Sequence, residues 1–264
     1  MSRTEALEGS PIRRVARGVA GLTGWRRAAL ATACGALSAA ALPPVHAVPV
    51  LLVSFTALVW LIDGSRNGRG TLAAGWWFGF GSFLAGLYWV AFSFLVEAAK
   101  FGWLAPFAVI TLAAGLAVFP ALAAFLTRCA GIRGAGRIPV LAAAWTGCEW
   151  LRGVAFTGFP WNALGTAWTF SDAMIQLAAV TGVFGLTLVT VLAAAAPAAL
   201  GDGDAGRTGA LRPRGRRWVL PTAAAAVLAL VWAGGALRLA GAGGGNVAGV
   251  SLRLVQANIA QTDK

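Results

Sequence analysis

Seven apolar stretches leave this chain few ways to fold other than as helices that cross a lipid bilayer. They run from Ala28 to Leu42, Val45 to Ile62, about Thr71 to Val96, about Trp103 to Leu126, Ile138 to Phe156, about Ala173 to Leu200 and about Trp218 to Leu239. Hydrophobic residues make up 58% of the chain and charged residues only 11%, against roughly 45–50% and 25% in ordinary soluble domains. A formal charge of +12 would point to nucleic acid in a soluble protein. Here the basic residues cluster between apolar runs, so membrane topology accounts for them and no nucleic-acid partner is expected.

Counting lysines and arginines loop by loop orients the spans. With the N-terminus in the cytoplasm, the inside segments are Met1 to Arg27, the Arg66 and Arg69 turn, the loop with Arg128, Arg133 and Arg137, and the loop from Arg207 to Arg217. Together they hold 16 of the 21 basic residues. Seven spans then place the chain after about residue 240 outside the cytoplasm, on the same side as the loop Thr157 to Asp172, which has no basic residue. The arm Met1 to Arg27 followed by Ser38-Ala39-Ala40-Ala41 has the outline of a signal peptide. The Pro43-Pro44 turn into a second apolar run favours an uncleaved first span and a short hairpin.

The most informative stretch is Ala143 to Gly165, AAWTGCEWLRGVAFTGFPWNALG. Glu149 and Arg152 are three apart, which on a helix puts both on one face, where they can pair. The helix reaches the ~20 residues a span needs only by running from Ile138, with Pro139 in its first turn, to about Phe156. The pair then lies within the bilayer, where ionisable groups are costly and mark a functional site or a helix lock. Arg152 beside Glu149 suits positioning better than proton transfer, and a guanidinium can also grip a phospholipid phosphate in bidentate fashion. Arg152→Lys leaving lipid binding and activity unchanged would sink that last idea.

Elsewhere the residues carry less chemistry. Gly75 and Gly79 form a small-xxx-small pair that lets a second helix approach. Cys34, Cys129 and Cys148 lie in or beside apolar segments without metal-ligand spacing and read as small buried hydrophobes. His46, the lone histidine, is assigned no role. No phosphate loop, Ser-His relay or metal cluster is present in the pattern, so no catalytic residue, metal or cofactor is expected. A Gly-rich connector, residues 241–250, leads into SLRLVQANIAQTDK, where Leu252, Leu254 and Val255 suit a buried strand and Gln256-Ala257-Asn258 a polar strand end.

EWLRG followed by TGFPWN resembles the membrane domain of the bacterial apolipoprotein N-acyltransferase family. PVLLVSFTALVWLIDG, GWWFGFGSFLAGLYWV, FLVEAAKFGWLAPFAV, QLAAVTGVFGLTLVTVLAAAAPA and LRLVQANIAQ continue the likeness in order from about Ala40. Thr166 departs from a tyrosine common in relatives, and Ala260 from a proline. The resemblance implies an all-α polytopic membrane domain of about seven transmembrane helices, residues 28–240, after a basic cytoplasmic arm, residues 1–27. Residues 251–264 would be the first strand of a nitrilase-like αββα domain that is not in the chain. It also implies an inner-membrane enzyme that moves an acyl chain from a phospholipid donor to the N-terminal cysteine of a diacylglyceryl apolipoprotein, using a Glu-Lys-Cys triad beyond these residues. On that basis the chain alone is expected to be inactive. Glu149, Arg152, Thr157, Gly158, Phe159, Pro160 and Trp161 are expected to line or rim the lipid chamber. The competing class is a non-enzymatic lipid-binding scaffold or part of a transporter.

Overall fold

The computed structural model describes residues 10–155, 158–202, 217–242, 249 and 251–256. Among them the chain is all-helical. In order, the helices are α1 (Pro11–Ala20), α2 (Gly24–Ala39), α3 (Val50–Asp63), α4 (Gly68–Gly86), α5 (Ala91–Leu95), α6 (Ala98–Phe101), α7 (Ala105–Leu116), α8 (Val118–Cys129), α9 (Arg137–Val154), α10 (Asp172–Ile175), α11 (Ala178–Ala195) and α12 (Val219–Ala240), joined by short 3-10 turns.

Close approach of small residues organises the centre of the bundle. A side chain on Gly35 of α2 would sit 1.9 Å from the Phe78 carbonyl of α4, and one on Gly81 of α4 would sit 2.0 Å from the Thr32 carbonyl of α2. The two backbones therefore pack with nothing between them. The opposite side of α4 receives α8, where Gly75 and Gly79 face Pro120 and Ala121, so the small-xxx-small pair does what its spacing predicts. Phe55, Phe78 and Trp145 meet edge to face in the core, with ring centres 4.8 to 5.8 Å apart. Asn67 accepts from the Gly70 amide at 2.8 Å and so caps α4.

Three expected elements differ. Residues 11–20, expected to be a plain basic arm, form α1, whose Arg13 and Ala16 are buried. Pro11 in its first turn and the helix-favouring arginines account for it. The third stretch is not one rod: it breaks at Leu87 and bends by 50° into Tyr88–Leu95. Leu252, Leu254 and Val255, expected in a buried strand, are 77% exposed or more, with no strand among the described residues to pair with. Residues 257–264, with the rest of that expected strand, and residues 243–248 of the connector lie outside the described residues.

Among the described residues, fewer than seven helices qualify as spans by length and apolarity. Ala98–Cys129, Ala178–Gly201 and Val219–Ala240 qualify, and the bent pair Gly68–Gly86 with Tyr88–Leu95 would make a fourth. Helices α2 and α3, of 16 and 14 residues, are short against the ~30 Å hydrocarbon core at ~1.5 Å per residue. Helix α9 is diluted by Arg137, Glu149 and Arg152. Cys129, expected to be buried, is exposed, whereas Cys34 and Cys148 are buried.

The bundle has two chemically different ends. Arg27 donates to the Leu61 carbonyl and to Ser65 Oγ, Arg128 to the Ser65 and Arg66 carbonyls, and Arg137 to Asp63 and Asp202. Segments rich in arginine thus converge at one end. At the other, α12 seats its last turns on α10: Gly235 packs on the Ala173 carbonyl, and Arg238 donates to Gln176 Oε1 at 3.1 Å.

Candidate functional site

Helix α9 carries Glu149 and Arg152 on its inner face, as their spacing requires, and both are buried. The pair is loose: Arg152 Nη2 stands 3.8 Å from Glu149 Oε1, a Coulombic contact rather than a hydrogen bond. Each partner is instead committed to the chain beyond the helix. Glu149 Oε1 accepts from the Leu164 amide at 2.9 Å, and Oε2 accepts from the Thr187 hydroxyl of α11 at 2.7 Å. Arg152 Nη1 donates to the carbonyls of Phe159, at 3.1 Å, and of Trp161, while its guanidinium lies 5.1 Å over the Phe83 ring.

The turn between those anchors is shaped by two backbones outside the ordinary right-handed range. Gly158 has φ +88, and a side chain there would meet the Gly153 carbonyl at 2.3 Å. Its amide donates to the Ala155 carbonyl and that of Phe159 to the Arg152 carbonyl, both at 2.8 Å, folding the loop back onto the helix end. Asn162 takes φ +55 and places its side-chain amide against Gly86, at the end of α4. Trp161 is half exposed and stacks on Trp89 at 4.7 Å, and Phe159 lies 5.8 Å from Trp161. Pro160 is exposed. Thr157 lies outside the described residues.

Six of the seven residues expected at the site are therefore described, and they come together around one loop. A cavity of about 30 Å³ lies against Glu149 and Arg152, walled also by Ser38, Phe83, Trp145 and Asn162. That is room for a water or two, against the roughly 300–1,000 Å³ of a small-molecule pocket. The arrangement fixes loop geometry with buried charge.

Residues the sequence reading passed over complete the network. Thr187 both donates to Glu149 and accepts from the Gly165 amide at 2.9 Å, and Thr190 accepts from Trp168 Nε1 at 2.7 Å. Thr181, Thr187 and Thr190 are the polar side chains of an otherwise apolar helix, and the three-residue spacing of the last two was the available signal. His46 also has a structural place: its Nδ1 is 3.2 Å from the Ala167 carbonyl, and its ring lies 5.3 Å from Phe170. It ties the α2–α3 turn to this loop.

Fold and site together define a class: an apolar helical bundle in which a buried acid and base pin an aromatic loop at one end. The family model for the apolipoprotein N-acyltransferase N-terminal domain matches residues 34–196, and this chain belongs to that family. It is similar to the apolipoprotein N-acyltransferases of Rhodopseudomonas palustris, at 45% identity over 94% of this chain and 46% of the relative, and of Bradyrhizobium diazoefficiens, at 43% over 96% and 47%. That of Allorhizobium ampelinum is 47% identical over 71% of this chain and 37% of the relative. The chain spans about half the length of the first two curated relatives it matches.

Proposed function

We propose that this chain forms the membrane half of an enzyme that transfers an acyl chain from a phospholipid to the free amino group of the lipidated N-terminal cysteine of a lipoprotein. The observation that carries the reading is the family match over residues 34–196, with relatives of that name at 43–47% identity. In this reading the protein sits in the bacterial inner membrane with seven crossings, the N-terminus in the cytoplasm, and the 158–172 loop and the end of α12 together on the periplasmic side. The gathering of Arg27, Arg128 and Arg137 at the opposite end supports that orientation.

Glu149 and Arg152 act here by holding the loop, so that Phe159, Pro160 and Trp161, with Gly158 before them, form a stiff rim to the lipid chamber; Thr157, also expected there, lies outside the described residues. Neither touches the reacting atoms. The Glu-Lys-Cys triad of the resemblance has no counterpart assigned in the bundle. Cys34 and Cys148 are buried within it, and Cys129 lies at the arginine-rich end. The chain by itself forms no acyl-thioester.

The test is a chimera in which residues 34–240 replace the matching half of the Rhodopseudomonas palustris relative, expressed in cells depleted of their own enzyme. Mass spectrometry of a reporter lipoprotein should show the N-terminal amine acylated. An inserted, stable chimera that leaves the amine free overturns the assignment. An acyl-thioester on the purified 264-residue chain overturns the statement that it is inactive alone. Labelling of cysteines placed at Trp161 and Gln256 should be blocked or allowed together by an impermeant reagent; opposite outcomes break the topology.

A further inference from the structure

A second, larger cavity of about 570 Å³ opens at the arginine-rich end of the bundle, away from the loop site. Arg128, Arg133 and Arg137 line it, with Asp63 and Asp202 as the acidic groups of its wall. Both carboxylates are spent on one guanidinium. Arg137, buried, binds Asp202 through Nη1 at 3.0 Å and Nη2 at 2.8 Å, and Asp63 through Nε at 3.1 Å and Nη2 at 2.9 Å. Arg128 directs its two terminal nitrogens to the backbone carbonyls of Ser65 and Arg66, at 2.9 and 3.1 Å, which fixes its position without neutralising its charge. Arg133 is exposed and makes no ion pair among the described residues. Arg27, held on Ser65 Oγ at 2.6 Å, adds a further cation behind the wall. Among the described residues, the pocket therefore carries an uncompensated positive charge on side chains of which one is already locked in place.

We propose that this pocket binds the phosphodiester of an anionic phospholipid headgroup. Basic pockets between membrane helices hold lipid phosphates by charge and bidentate hydrogen bonding. The choice of a lipid over a free anion rests on the wall itself. Ile132, 48% exposed, stands beside the arginines over the buried Ile62, so the cation site borders apolar surface suited to the glycerol and first methylenes of a lipid. The pocket is at the opposite end from the 158–172 loop, so this lipid is a bound structural ligand and not the acyl donor. The inference stands on the membrane setting alone and survives if acyl transfer is disproved.

The test uses the purified 264-residue chain in neutral detergent, read by native mass spectrometry with phosphatidylglycerol, phosphatidylcholine or inorganic phosphate at equal concentration. Phosphatidylglycerol should be retained in preference to phosphatidylcholine. Arg133→Gln, which removes no described contact, should weaken that retention about fivefold, as one basic residue contributes about 1 kcal/mol at an anionic surface. Arg253→Gln, an exposed arginine outside the pocket, should leave it unchanged. Equal retention of the two lipids, no loss with Arg133→Gln, or an equal loss with Arg253→Gln overturns the proposal. Displacement of phosphatidylglycerol by inorganic phosphate at the same concentration overturns the headgroup assignment in favour of a free anion.

Discussion

The two ends of the bundle use arginine in opposite ways. At the loop end, Arg152 is 2% exposed, faces an acid and two backbone carbonyls, and leaves a gap of about 30 Å³. At the other end, Arg128 and Arg133 surround a space of about 570 Å³ with no carboxylate left over for them among the described residues. Burial decides the difference. A charge taken out of water must be met by groups of its own chain, and once met it becomes a strut that dictates geometry. A cation at a boundary can remain unmatched and wait for an external anion.

That contrast can be broken from either side. The largest effect should come from Glu149→Ala, which strands the Arg152 charge and the Leu164 amide. A loss of about 3–5 kcal/mol is expected in denaturant unfolding in detergent, and an effect below 1 kcal/mol would mean that the loop end is not held by charge. Thr187→Val removes the hydroxyl between Glu149 and the Gly165 amide and should cost about 1–3 kcal/mol. Hydrogen exchange at Leu164 and Gly165 should rise with it, sharpening the assignment of Thr187 to this network. Trp89→Ala deletes the stack on Trp161 and should cost about 0.5–1.5 kcal/mol beyond lost burial, with faster exchange over residues 158–162. Arg133→Gln should stay within about 0.5 kcal/mol of the parent in the same unfolding measurement. If it destabilised as much as Glu149→Ala, the two ends would not differ in kind.

The helical class and the loop were readable before any coordinates because their signals are local. Charges inside an apolar run stand out, and Thr157-Gly158-Phe159-Pro160 breaks a helix by its own chemistry. Helix α9 accordingly lies within two residues of where its pattern places it. What holds Glu149 was not readable, because its partners are 15 and 38 residues away and one of them is a backbone amide. The bend after Gly86 was hidden for a similar reason. Tyr88, Trp89 and Val90 are apolar enough to continue a rod, and the partner that Trp89 meets after the bend, Trp161, is distant in the chain. Near the last described residues, the apolar Leu252, Leu254 and Val255 matched what a buried strand needs without supplying a neighbour to pair with.

Helix α12 invites one last deduction. Of its 22 residues only Ala224 and Gly235 are buried, and Gly235 is seated so tightly on α10 that any side chain would collide with the Ala173 carbonyl. Leu220 in the first turn packs against the core and Gly235 near the last is seated on α10, so the rod is footed near both tips and little covered between them. Enlarging Gly235 would therefore displace the second of these footings and swing residues 236–242 relative to the aromatic loop.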